Sequence, residues 1–133
     1  MKIINAEGAV LGRLASSAAK YLLNGEEVNI VNAEKAIVIG SKDMIVEDFL
    51  SKIRRRQARK GPHYPRRSDM ILKRTVRGMI PYQKQRGREA YKKLRVYLGV
   101  PPEFEGKAEK IGKTEKTPVS FMTLENISKH LGG

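Results

Sequence analysis

Seven apolar residues, Leu11, Leu14, Ala15, Ala18, Ala19, Leu22 and Leu23, recur at helical spacing between two short β-type runs, KIIN at 2–5 and VNIV at 28–31. Positions three and four apart share one face of a helix, so these side chains form a single continuous stripe that must be buried against something. The small alanines let the helix lie close to a sheet, and Asn24 followed by Gly25 is the residue pair that stops a helix in a left-handed turn. A strand, a helix and a second strand joined by short links favour a right-handed crossover between parallel strands. The expected class is α/β. With 133 residues, 40% of them hydrophobic, the chain has enough apolar material for one domain, 1–133, with its own core.

A third β-type run, AIVIG at 36–40, follows VNIV after only four residues, too few for an ordinary parallel crossover. Either one helical turn makes the crossing or the pairing is antiparallel. Ser41 is placed to cap a helix whose start carries Asp43, Glu47 and Asp48, whose buried face is Ile45, Val46, Phe49, Leu50 and Ile53, and whose end carries positive charge, as the helix dipole favours. Ser68 and Asp69 are candidate caps for a third helix with Leu72, Val76, Met79 and Ile80 inward, ending at Pro81. A further helix is expected within 84–94, interrupted at Gly87, followed by a strand in LRVYLG that returns to the sheet. The run 101–118, PPEFEGKAEKIGKTEKTP, mixes charge with Gly and Pro and is expected to be a mobile surface loop. Thr123 caps a short last helix with Leu124, Ile127 and Leu131 inward.

Charge divides the chain in two. Residues 52–95 hold 17 Lys and Arg against two acids, Asp69 and Glu89, while the rest of the chain holds 10 basic and 12 acidic residues. A solvated face normally intersperses both signs, and so dense a block destabilises the compact state unless a polyanion lies against it. Eleven of the 17 are Arg, whose planar fork binds phosphate bidentately and stacks on bases. Tyr64, Tyr82 and Tyr91 interleave with them, either as stacking surfaces or as core residues. Nucleic acid is the partner this pattern fits; a membrane surface is not, because the block has no apolar interfacial face.

Other chemistry is poorly represented. There is no Cys, which removes disulfides, thiolate metal sites and cysteine catalysis and suits a reducing compartment. No apolar run reaches the length of a signal peptide core or a membrane span, so a cytoplasmic location is expected. His63 and His130 stand in different parts of the chain, and no carboxylate spacing beside them describes a metal site. His63, in GPHYP, is either an RNA contact or a solvated loop residue. Gly8 and Gly12 bracket GAVLGR, one residue short of a phosphate loop and with Arg13 in place of its Lys, so a structural turn is the better reading. No acid/base pair or activated nucleophile is visible, and no catalytic residue, metal or cofactor is assigned.

The run VRGMIPYQKQRGREAYKKLRVYLGVP at 76–101 resembles the signature region of the universal large-subunit ribosomal protein thirteen family in its archaeal form. The likeness continues through RRRQARKGPHYPRR and through GRLASSAAKYLLNGEEVNIVNAEKAIVIG, covering nearly the whole chain outside 101–118. The bacterial form is similar mainly in the N-terminal α/β part and lacks GPHYP as written here. The resemblance implies a three-layer α/β/α fold around a four-stranded, mostly parallel sheet with a basic helical and loop extension. It also implies incorporation into the large ribosomal subunit beside neighbouring ribosomal proteins, with no small-molecule substrate. By the same motif match, contact with large-subunit ribosomal RNA is carried over to Arg54, Arg55, Arg56, Arg59, Lys60, His63, Arg66 and Arg67, and to Arg74, Arg77, Lys84, Arg86 and Arg88. The competing reading is an enzyme acting on RNA or a nucleotide, with the turn from Gly8 to Arg13 as its phosphate loop.

Overall fold

The computed structural model describes residues 2–54, 65–110 and 120–132. Strand β1 (Lys2–Asn5) leads through helix α1 (Leu11–Leu23) to β2 (Val28–Val31), which pairs parallel to β1 with Lys2 opposite Val28 and Asn5 opposite Val31. The apolar stripe of α1 is buried at Leu14, Ala15, Ala18, Ala19 and Leu22, and Gly25 takes a φ of 89° just beyond its end. Every residue of β2 is buried, as parallel sheets covered by helices require. Large apolar side chains such as Ile4, Leu14, Leu22 and Ile30 are wholly removed from solvent, each contributing about 1.5–3 kcal/mol relative to exposure.

Of the two possibilities that its spacing allows for the run after β2, the antiparallel one is found, although a helical turn precedes it. Residues Ala33–Lys35 make one 3-10 turn, and β3 (Ile37–Ile39) then leaves the parallel sheet and pairs antiparallel with β6 (Phe121–Thr123), Ile37 opposite Thr123 and Ile39 opposite Phe121. The turn is set by Asn32, the one described non-glycine residue with positive φ, at 56°. Asn tolerates this left-handed geometry better than most residues, and its Nδ2 donates to Asn5 Oδ1 at 3.1 Å, tying the ends of β1 and β2 together.

Helix α2 (Lys42–Arg54) begins at Ser41, whose Oγ accepts the Met44 amide at 3.3 Å, and buries Ile45 and Phe49. Helices α3 (Ser68–Arg77) and α4 (Gln85–Lys92) precede β4 (Leu94–Val96), which runs parallel to β2 with Val28 opposite Leu94. A two-residue strand, β5 (Glu109–Lys110), pairs parallel to the end of β1. Helix α5 (Leu124–Leu131) is capped by Thr123, which accepts the Asn126 amide, and buries Leu124, Ile127 and Leu131 as expected. Among the described residues the architecture is thus mixed α/β with a mostly parallel sheet, five helices and a separate two-stranded antiparallel sheet. Helix α1 packs against α3 and α4, which fixes these two basic helices to the core.

Several local expectations are corrected. Met79 does not continue the buried stripe of α3, because the helix ends at Arg77; Met79 is 42% exposed while Ile80 is buried. Ser68 is the first helical residue rather than a cap, and no side chain caps α3. Gly87 does not interrupt α4 but lies buried inside it. Of the stretch expected as loop, Pro102–Phe104 form a 3-10 turn with Phe104 buried beside Tyr97, ring centroids 5.6 Å apart, and Glu109–Lys110 form β5. Its remainder from 111 on lies outside the described residues.

Candidate nucleic-acid interface

Helix α3 is amphipathic in the sense its sequence demands. Ile71, Leu72 and Val76 are buried, while Lys73, Arg74 and Arg77 are only half-buried on its other flank. The chain then turns tightly. The Gly78 amide donates to the Arg74 carbonyl at 3.1 Å, Met79 to Val76 at 2.9 Å and Lys84 to the Pro81 carbonyl at 3.0 Å. Pro81 has no amide hydrogen with which to prolong a helix, and Ile80 pins the turn to the core.

Helix α4 is held against this turn through Gly87. A Cβ built there would overlap the carbonyl of Pro81, so only glycine permits the approach. Arg86 and Arg88, both exposed, flank this glycine. At about 100° per helical residue they point to nearly opposite sides of the contact, so they do not form one face.

The aromatic and cationic side chains of the two helices interlock. The Arg77 Cζ lies 4.1 Å from the Tyr82 ring centroid, the Tyr82 and Tyr91 rings meet edge-on at 5.4 Å and 80°, and the Lys73 Nζ lies 5.3 Å from the Tyr91 centroid. Burial pushes the Tyr91 phenol above its ordinary value; the Arg77 charge opposes this, Tyr82 adds to it and Arg74 again opposes it. Around Arg77 and Tyr82 opens a concavity of about 460 Å³, lined by Arg74, Ile80, Pro81 and Lys84 as well. The choice between stacking surface and core residue left open for Tyr82 and Tyr91 is answered by half-burial of both, each ring engaged by a cation.

Of the RNA-contact residues named from sequence, the structure thus gathers Arg74, Arg77 and Lys84 around one concavity. Arg66 and Arg67 are exposed at the entry to α3, where Arg67 pairs with Asp69 at 3.4 Å, so one of the block's two acids is locally matched. Arg55, Arg56, Arg59, Lys60 and His63 lie outside the described residues, and Arg54 is the last residue of α2. Helical periodicity puts Lys73 on the same polar face as Arg74 and Arg77, but neither its pairing with Tyr91, eighteen residues on, nor the close packing at Gly87 is legible; both are tertiary facts without a local signature.

The phosphate-loop alternative loses its first two amides. The Gly8 amide donates to the Lys35 carbonyl at 3.2 Å, that of Ala9 to Ala6 at 3.0 Å, and the Ala9 carbonyl accepts from Ile37 at 2.8 Å. These bonds tie the start of the turn to β3 and to its own backbone, so the Gly8 and Ala9 amides are not presented to a ligand. Among the described residues, no group of three or more His, Asp or Glu is placed to hold a metal ion, and no helix is long and apolar enough to cross a membrane.

Fold and sequence together define a basic α/β protein whose positive charge is concentrated in residues 52–95, from which α3 and α4 pack on the core, while the rest of the chain is nearly neutral. Residues 1–103 match the family described as ribosomal protein L13, and the chain belongs to that family. It is 46% identical to the large ribosomal subunit protein uL13 of Archaeoglobus fulgidus, over 98% of this chain and 86% of that one. The uL13 proteins of Methanocaldococcus jannaschii, 46% identical over 99% of this chain and 98% of theirs, and of Thermoplasma acidophilum, 43% over 100% and 99%, are similarly related. The archaeal character seen in the sequence agrees with these relatives.

Proposed function

We propose that this chain is a non-catalytic structural component of the large ribosomal subunit, located with it in the cytoplasm, that binds and organises large-subunit ribosomal RNA through residues 52–95. The observation that carries this is the segregation of 17 basic residues against two acids into residues 52–95, in a chain of a ribosomal protein family. Arg66, Arg67, Arg74, Arg77, Lys84, Arg86 and Arg88 face phosphates, together with Arg54, Arg55, Arg56, Arg59, Lys60 and His63. Because Arg86 and Arg88 diverge around Gly87, α4 touches RNA on two sides, as a residue wedged between RNA segments does. The body supports this as a three-layer unit, with β5 extending the parallel sheet to four strands, and its remaining surface meets neighbouring ribosomal proteins.

Ultraviolet crosslinking in purified large subunits, followed by sequencing of the bound RNA and mapping of the crosslinked peptides, tests the reading. Crosslinks to large-subunit RNA from peptides spanning 52–95 are expected. Crosslinks confined to α1 or α5, or a chain that sediments free of the subunit, would overturn it.

A further inference from the structure

The concavity at the end of α3 has two kinds of wall. Arg74 and Lys84 supply positive charge, while Arg77 held over the Tyr82 ring supplies a flat polarisable surface above an apolar floor that includes Ile80 and Pro81. A site that recognised only backbone phosphate would need the first wall and not the second. At about 460 Å³ it falls at the lower end of the roughly 300–1,000 Å³ of small-ligand clefts. That is too little for the edge of a duplex and sufficient for one extruded residue of a nucleic acid.

We propose that this concavity takes a single unpaired nucleotide of RNA, its base against the Arg77–Tyr82 pair and its phosphate on Arg74 and Lys84. The inference rests on the reading that 52–95 faces RNA. Unstacked bases in loops and bulges are the usual targets of sequence-selective RNA recognition, and they are received on aromatic rings and on guanidinium planes. Both surfaces are present here and already braced. Tyr82 is held by the edge contact with Tyr91, which Lys73 flanks in turn. Side chains fixed before binding lose little rotamer freedom when the base arrives, so more of the stacking energy appears as affinity.

The test uses the full chain and two fluorescent probes: a fully paired RNA duplex, and the same duplex carrying one unpaired 2-aminopurine. The bulged probe is expected to bind about tenfold or more tightly than the duplex, the scale of one base stacked on an aromatic side chain. Its fluorescence should be quenched on binding. In Tyr82→Ala the ratio between probes should collapse toward one. Arg77→Lys keeps the charge and removes the guanidinium plane; it should lower the ratio as well, and it carries the test if the Tyr82 variant does not fold. Equal affinity for the two probes, or no binding of the bulged probe while ribosomal RNA fragments bind, overturns the nucleotide subsite and leaves the RNA reading standing. Failure to bind the fragments as well overturns both. Adenosine monophosphate separates the two sources of the same chemistry: saturable binding of it below millimolar concentration would assign the concavity to a free nucleotide and overturn the RNA assignment.

Discussion

The backbone carbonyl of Pro81 occupies the space where a side chain on Gly87 would have to be. Glycine in a helix interior ordinarily costs about 1 kcal/mol relative to alanine, yet here alanine is the disruptive residue, because it would drive α4 away from the turn that carries Ile80. Overpacking of this kind costs about 1–3 kcal/mol. Gly87→Ala is therefore expected to lower the melting temperature by several degrees and to weaken RNA binding by disturbing the Arg77–Tyr82 arrangement. Gly12, in the first turn of α1, has open space around it. Gly12→Ala is expected to be neutral or to raise stability by a few tenths of a kcal/mol, up to about 1. Thermal melting of the two variants side by side checks the contrast.

Tyr91 gives a second, pH-dependent outcome. Its folded-state pKa lies above the ordinary value because burial disfavours the phenolate. Its contribution to stability is therefore fully present below about pH 10, the unfolded value, and is lost as pH rises through the folded-state value. The tyrosinate absorbance lost on Tyr91→Phe should titrate later than that of a free tyrosine. Arg77→Gln should move it later still, since the Arg77 charge lowers the Tyr91 value.

How legible these features are in the sequence depends on how far apart the contributing residues lie. Helix α1 is readable because its whole signal, a stripe of leucines and alanines with Asn24 and Gly25 at the end, sits within fifteen residues. The charge of the interface is readable in the same way, since it is a property of composition. The β3–β6 sheet is not. Ser120 Oγ donates to the Gly40 carbonyl at 2.8 Å across 80 residues of chain, and a three-residue strand carries too little alternation to announce its partner. The stacking of Arg77 on Tyr82 depends on the turn between them, and Gly87 reads as a helix interruption until the atom it must avoid is known.

Met79 and Ile80 make that lesson measurable. Helical periodicity carried past Arg77 puts both in the core, but the turn of the chain after α3 exposes Met79 and buries Ile80. Ile80→Ala is expected to cost about 2–5 kcal/mol, as a large-to-small change in a packed site does. Met79→Gln should stay within about 0.5 kcal/mol. Chemical denaturation of the two variants decides the matter: equal losses would restore the periodic reading.

Salt provides the last test, because the segregated charge makes a quantitative demand on RNA binding. If on the order of six to ten phosphates are neutralised, log K for large-subunit RNA fragments should fall against log salt with a slope of roughly −4 to −9. Lys84 is exposed and lines the concavity; on the proposal that it holds a phosphate, Lys84→Gln should make the slope shallower by about one while leaving sequence preference intact. Lys20, on the exposed side of α1 and outside the basic segment, should leave the slope unchanged when replaced by Gln. Fluorescence titrations at four or more salt concentrations supply the slopes. A wild-type slope shallower than about −2 would mean that the arginine-rich segment does not carry the binding, whatever its charge. An equal change for Lys84 and Lys20 would mean that net charge alone matters and that the placement of Lys84 beside Arg74 and Arg77 does not.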